Sequence, residues 1–247
     1  MTKRHVLIGF GLGLVLCGAA VAAYFFGVWI PNYPPDRDYR IRGIDVSGHQ
    51  GDIHWNLVPH DRIQFAYIKA TEGGDFRDSR FAENWKASRA AGLPRGAYHY
   101  FTLKTPGLQQ ASNFTAVVPN ELDSLPPAID LEYWGNSSVR PSVADFRREL
   151  DQFVTAVRTY YGREPVLYTG NDYREYYLRD LRIGRLWIRS VITAPRLPKG
   201  QDWLFWQYSE KVRVPGISGF VDQNVFYGNE DSFRSLLSER VGPMAPR

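Results

Sequence analysis

Asp45, Asp130, Glu132 and Asp222 are the residues of this chain whose types and settings could do chemistry. Each lies in, or just after, a short apolar run that reads as a β-strand. Asp130 and Glu132 close the run Pro127-Ala128-Ile129-Asp130-Leu131-Glu132-Tyr133. Asp45 lies in Gly43-Ile44-Asp45-Val46-Ser47, and Asp222 in Val221-Asp222-Gln223-Asn224. Side chains alternate along a strand, so Asp130 and Glu132 point the same way. Two carboxylates facing one cavity are costly to ionise together, and one should hold a proton near neutral pH. A protonated acid beside anionic groups is what breaking a glycosidic bond requires. The acid serves the leaving oxygen, and the anions stabilise an oxocarbenium-like state. Asp-x-Glu alone is commonly surface decoration or a salt-bridged pair. This one differs by following Ala-Ile on a buried run and preceding Tyr133-Trp134.

The elements that must position these acids are legible as alternating runs. Strand-like segments fall at 41–46, 65–69, 95–100, 128–131, 165–169, 186–188, 204–208 and 221–226. Residues 79–91 read as a helix stopped by Gly92 and Pro94. The strongest helix is 143–161, capped by Ser142 and ended by Gly162. Val143, Phe146, Leu150, Phe153, Val154 and Val157 form one apolar stripe that belongs to the core. Strands separated by helices imply a parallel sheet with right-handed crossovers. Eight such runs in about 200 residues suggest a closed α/β barrel, with chemistry at the C-terminal ends of its strands. The last three runs lie too close together for full helices between them, so the barrel is expected to be irregular there.

At 247 residues the chain fits one such domain plus a short appendage. Aromatic residues make up 15%, more than a core alone demands, and a surplus suits a groove that stacks against flat ligand faces. The net charge of +4 comes without a dense Lys/Arg run, so nucleic acid is not an expected partner. An anionic polymer such as a cell wall fits the charge as well. The single Cys17 excludes an intrachain disulfide framework. Lys3 and Arg4 precede residues 6–30, which carry no charge. Roughly 20 apolar residues span a bilayer, whereas a cleaved signal has an apolar region of about 7–15. The length predicts a transmembrane anchor over 6–30, with secretion after cleavage beyond Ala20-Val21-Ala22 as the alternative. The leading charges put residues 1–5 in the cytoplasm and the remainder outside. Residues 31–40, with three prolines, read as a stiff stalk. The globular domain then covers 41–240, followed by a tail over 241–247.

The chain resembles family 25 of the glycoside hydrolases, the Chalaropsis-type lysozymes or N-acetylmuramidases. The resemblance is carried by five segments in the family's order: 43–51 (GIDVSGHQG), 65–73 (FAYIKATEG), 91–101 (AGLPRGAYHYF), 128–133 (AIDLEY) and 206–226 (WQYSEKVRVPGISGFVDQNVF). It implies an irregular TIM-like barrel of the (β/α)5(β)3 type, here preceded by the transmembrane helix. It implies cleavage of the β-1,4 bond between N-acetylmuramic acid and N-acetylglucosamine in the peptidoglycan glycan strand, by a monomer without cofactor or metal. Glu132 matches the general acid. Asp130 matches a partner that orients the substrate's acetamido group or stabilises developing positive charge. Asp45 and Asp222 match the remaining acids, and Tyr67, Tyr98, Tyr100, Tyr133 and Trp206 match aromatic groove positions. The chain departs from the pattern at Leu186-Trp187-Ile188-Arg189-Ser190-Val191, where Arg189 and Val191 replace a small residue and an aromatic.

Other chemistries find less support. His49, His54 and His99 match no ligand spacing, and the glycines near 43–51 and 71–74 precede no helix with a phosphate-binding Lys. No Ser–His–Asp or Cys nucleophile pattern is evident. His99 is expected to hydrogen-bond within the barrel mouth, and Glu72 to stabilise its loop. A barrel chitinase would carry acids at 126 and 128, where Pro126 and Ala128 stand. A catalytically silent, membrane-tethered wall-binding protein on the same scaffold is the remaining alternative.

Overall fold

The computed structural model describes residues 3–240, apart from the side chains at 3, 4, 6–9, 11 and 12. The strands are β1 (Arg42–Val46), β2 (Phe65–Glu72), β3 (Phe76–Arg77), β4 (Arg95–Tyr100), β5 (Ala128–Leu131), β6 (Val166–Gly170), β7 (Leu186–Arg189), β8 (Phe205–Val212) and β9 (Val221–Phe226). The helices are α1 (Lys3–Phe25), α2 (Phe81–Ala90), α3 (Gly107–Val117), α4 (Val143–Tyr161), the single turn α5 (Asn171–Tyr173) and α6 (Glu230–Ser238). Among the described residues the strands form one sheet in the order β1-β9-β8-β7-β6-β5-β4-β2-β3, and pairing of β1 with β2 closes it. With the two-residue β3 left outside as an antiparallel fringe on β2, this is an eight-stranded mixed α/β barrel.

One expectation needs correcting: the sheet is not parallel throughout. β9 runs antiparallel to both of its neighbours, β8 and β1. Only residues 213–220 separate β8 from β9, and a parallel crossover needs a dozen or more residues. A short connection can only turn the chain back.

Alternation decides what each strand contributes. Ile44, Ile68, Ala70, Ala97, Phe101, Ile129 and Leu131 face the helices, where they pack with Trp85, Phe114 and the α4 residues Phe146, Leu150, Phe153 and Val157. The α4 stripe is therefore core, as its spacing requires. The Ser142 hydroxyl accepts from Asp145 N, and Gly162 ends α4 at φ +61°. The opposite faces supply Phe65, Tyr67, Ala128, Val166, Tyr168, Trp187, Phe205 and Phe226, the apolar floor inside the barrel. Gly43 and Gly96 make room for this floor. A Cβ on Gly43 would stand 2.4 Å from the Phe65 ring, and one on Gly96 2.4 Å from the Tyr67 ring.

Among the described residues no helix is long and apolar enough to cross a membrane. The anchor expected over 6–30 is thus not supported; of that stretch the side chains at 6–9, 11 and 12 are not described, and the tail over 241–247 lies outside the described residues. α1 ends at Phe25, and the chain then turns at Gly27, φ +71°. The proline-bearing stretch lies against the barrel. The Asn32 amide donates to Ser190 O at 2.7 Å, and Arg42 donates to Pro34 O and Asp36 at 2.6 Å each. Ile30 and Tyr39 pack on a cluster of Ile188, Trp206 and Tyr208.

Gly96→Ala forces a methyl group into the Tyr67 ring. Overpacking of this kind costs roughly 1–3 kcal/mol, so the variant is expected to unfold at lower denaturant than wild type with an unchanged m-value. Chemical denaturation followed by tryptophan fluorescence checks this.

Candidate active site

The site is built by strand register. Asp45 on β1 stands directly opposite Asp222 on β9, and Asp130 on β5 opposite Tyr100 on β4. Glu132 follows β5 by one residue. Asp45, Asp130, Glu132 and Asp222 line one small cavity of about 90 Å³ with Tyr98, Tyr168 and Trp187. The structure therefore brings all four acids to a single barrel mouth. The cavity opens into two lobes. One, about 330 Å³, adds Ser47, His49, Gln50, Lys69, Glu72 and Tyr100. The other, about 610 Å³, adds Tyr133, Gly170, Asp172, Arg189, Gln207 and Glu210. Glu132, Trp134 and Asp222 border both lobes. A larger cavity of about 860 Å³, between residues 30–42 and the β8–β9 connection, contains none of the four acids.

Crowding and burial shape the charges here. Burial, followed by the Asp222 charge, holds Asp45 well above the usual carboxylate range. The Asn224 amide donates to Asp45 Oδ2 at 2.8 Å. Asp130 is pushed well up by burial and then by Glu132 and Asp45, with Lys69 opposing. Burial and the Glu210 charge raise Asp222 to about 6. Burial raises Glu132 to about 7; the Arg189 charge opposes this, and Asp222 adds to it. A proton is thus retained in the cluster near neutral pH. Among the described residues nothing donates a hydrogen bond to the buried Asp130 Oδ1.

Two cations flank the acids, each tied to a glutamate. Lys69 Nζ donates to Glu72 at 2.8 Å and lies over the Tyr100 ring at 5.0 Å. Glu72 thus lines a lobe as Lys69's partner, beyond its expected part in the loop. Arg189 donates to Glu210 at 2.5 Å from the neighbouring strand.

The aromatic expectations divide. Tyr98, Tyr100 and Tyr133 line the lobes. The Tyr100 hydroxyl donates to Trp134 O at 2.6 Å, and Arg140 stacks on the Tyr133 ring at 4.2 Å. Tyr67 and Trp206 do not line the groove. Tyr67 lies in the barrel floor, its hydroxyl donating to Pro126 O at 3.0 Å and its ring supporting Trp187 at 4.8 Å. Trp206 is only 2% exposed and points outward, donating from Nε1 to Ser190 O at 2.9 Å, because its neighbour Gln207 takes the inward direction. His99 likewise faces the helices, not the mouth. It contacts Thr71 Oγ1 at 2.7 Å and Gln110 at 3.1 Å, and burial holds it neutral by lowering its pKa to about 3.

Sequence reasoning met Arg189 only as a departure from a pattern and missed Tyr168, Trp187, Asn224, Lys69, Glu210 and the crest residue Trp134, which is 86% exposed. The alternation that paired Asp130 with Glu132 also pairs Asp222 with Asn224, so that residue carried a usable signal.

Comparison with known proteins gives a consistent picture. The model of "Glycosyl hydrolases family 25" matches residues 44–217. Lysozyme M1 of Streptomyces globisporus is 34% identical over 210 residues, covering 80% of this chain and 71% of that protein. An uncharacterized protein of Escherichia coli O157:H7, YegX, is 34% identical over 218 residues, covering 86% and 77%. The solved structure of a family 25 glycosyl hydrolase from Bacillus anthracis superimposes with a TM-score of 0.77 at 35% identity, covering 83% of this chain and 96% of that one.

The raised acids make stability depend on pH. Glu132 rises from 4.5 to about 7, so the folded chain binds more protons than the unfolded chain between those values. Stability is fully present below about 4.5 and falls as pH rises through about 7, on the order of 3 kcal/mol for a single such group. Thermal melts at pH 5 and pH 8 should show a lower Tm at pH 8, with a smaller difference for Glu132→Gln.

Proposed function

The chain belongs to family 25 of the glycosyl hydrolases and is a glycosidase of the lysozyme type, and on that premise we propose that it cuts the β-1,4 bond between N-acetylmuramic acid and N-acetylglucosamine, with Glu132 as general acid. The observation that carries this reading is the position of Glu132. It borders the acid-lined cavity and both lobes, where a strand held on either side presents its bridging oxygen. With a pKa of about 7, Glu132 retains a proton to deliver there.

In the first step the Glu132 proton passes to the bridging oxygen and the bond to C1 breaks. The acetamido oxygen of the same sugar bonds to C1 in its place. Asp130 holds the acetamido N–H, for which its unpartnered Oδ1 is the available acceptor. In the second step water adds to C1 and gives its proton to the Glu132 carboxylate, and the C1–acetamido bond breaks. This returns the acid form and retains the anomeric configuration. Asp222, whose charge is supported by its hydrogen bond with Asp45, supplies negative charge toward the sugar, and Tyr98, Tyr100 and Tyr133 supply ring faces for it. The peptidoglycan backbone lies outside the cytoplasm, and we read residues 6–30 as the element that exports the barrel. Cell fractionation with N-terminal sequencing of the mature chain tests this. A full-length chain confined to the cytosol would refute it.

Glu132→Gln keeps the shape of the side chain but cannot deliver a proton. General acid catalysis contributes roughly 10²–10⁴-fold, so release of fragments from purified sacculi should fall by at least that range while the variant still sediments with the wall. Asp130→Asn should be severely impaired as well. Mass spectrometry of the wild-type products should show muramic acid at the new reducing end. N-acetylglucosamine there would refute the bond assignment.

A further inference from the structure

No role for Arg189 follows from the acids alone. It is the last residue of β7, with Gly170 of β6 on one side and Gln207 of β8 on the other. Its guanidinium is held by Glu210 at 2.5 Å, and both side chains line the lobe that Glu132 borders.

The surroundings of Glu132 explain why a cation there matters. β1 contributes Asp45, β5 Asp130 and β9 Asp222. Asp172 follows β6, and Glu210 reaches in from β8. The tyrosines Tyr98, Tyr100 and Tyr168 are neutral, each held above its ordinary range first by burial. Against these carboxylates, the Lys and Arg side chains among the described lining residues are Lys69 in one lobe and Arg189 in the other. Their reach differs. The Lys69 charge acts on Asp130 and Glu132, whereas the Arg189 charge acts on Glu132 and Asp222.

We propose that Arg189, tethered by Glu210, is a positioning residue for the reaction: it is the counter-charge that sets how readily Glu132 releases its proton, and so the upper pH limit of hydrolysis. The proposal rests on the reading of Glu132 as general acid. Glu210 divides the work, since it holds Arg189 in place, takes part of its charge and presses on Asp222. The two residues therefore act in opposite directions. Removing Arg189 leaves Glu132 protonated to higher pH. Removing Glu210 frees the guanidinium field for Glu132 and Asp222 and brings their protons off at lower pH.

The test is the pH profile of fragment release from purified sacculi by wild type, Arg189→Gln, Arg189→Lys and Glu210→Gln, each checked for folding by thermal melt. Arg189→Gln should move the upper limb to higher pH, keeping a several-fold larger share of its maximal rate at pH 8. Arg189→Lys should restore the wild-type limb, because it keeps the charge. Glu210→Gln should move the limb to lower pH. Superimposable limbs, shifts of the same sign in Arg189→Gln and Glu210→Gln, or a raised KM without a limb shift would each overturn the proposal. Failure of the underlying reading looks different: wild type inert on sacculi at every pH, or Glu132→Gln as fast as wild type.

Discussion

The antiparallel pairing of β9 with β1 closes the barrel and, in the same register, sets Asp45 opposite Asp222. That seam is the constraint on which the rest depends. A cross-strand pair of like charges is unfavourable, and burial makes it more so. The mouth tolerates it by retaining protons, by accepting the Asn224 amide on Asp45, and by placing one ion-paired cation in each lobe. Asp130 and Glu132 then arrive from β5 into the same cavity, where burial first, and the neighbouring carboxylates after it, raise their own pKa values.

A mouth of this kind destabilises the fold near neutral pH, so the scaffold beneath must be firm. Inside the barrel Phe65, Tyr67, Phe205 and Phe226 form an aromatic floor, with Phe65 and Phe205 rings 5.1 Å apart and Phe205 and Phe226 rings 5.5 Å apart. Outside it, the α4 stripe seals β4 and β5 against solvent, and the His99 ring stacks on Phe153 at 4.8 Å. Both layers hold the strand ends that carry the acids. Gly43 and Gly96 tie the layers together, because their missing side chains let the floor rings fit inside a closed barrel.

The acids, the α4 stripe and the barrel itself were legible because each rests on a local period: two residues along β5, and three to four along α4. What was not legible depended on partners distant in sequence. β8 is buried on both faces, so its pattern could not say whether Trp206 or Gln207 points inward. The same ambiguity in β2 and β4 put Tyr67 in the floor and His99 against the helices. Arg189 was visible only as a departure from a pattern, and its partner Glu210 lies 21 residues away on another strand. The direction of β9 was implicit in the short 213–220 connection, but eight strand-like runs alone do not fix orientation.

The two lobes bear on how a polymer could be held. Glu132, Trp134 and Asp222 border both, so contacts on either side converge on the acid. The lobes differ in what they offer. One is smaller, with Lys69, His49 and Tyr100; the other is larger, with Arg189, Asp172 and the Tyr133 ring under Arg140. On the function proposed above, a strand of alternating sugars fits such an unequal pair in one register, because sliding by one sugar exchanges the two side groups. On that same proposal, choice between the two chemically similar linkages of the strand follows from unequal binding on the two sides, while the acid itself stays indifferent to which bond it meets.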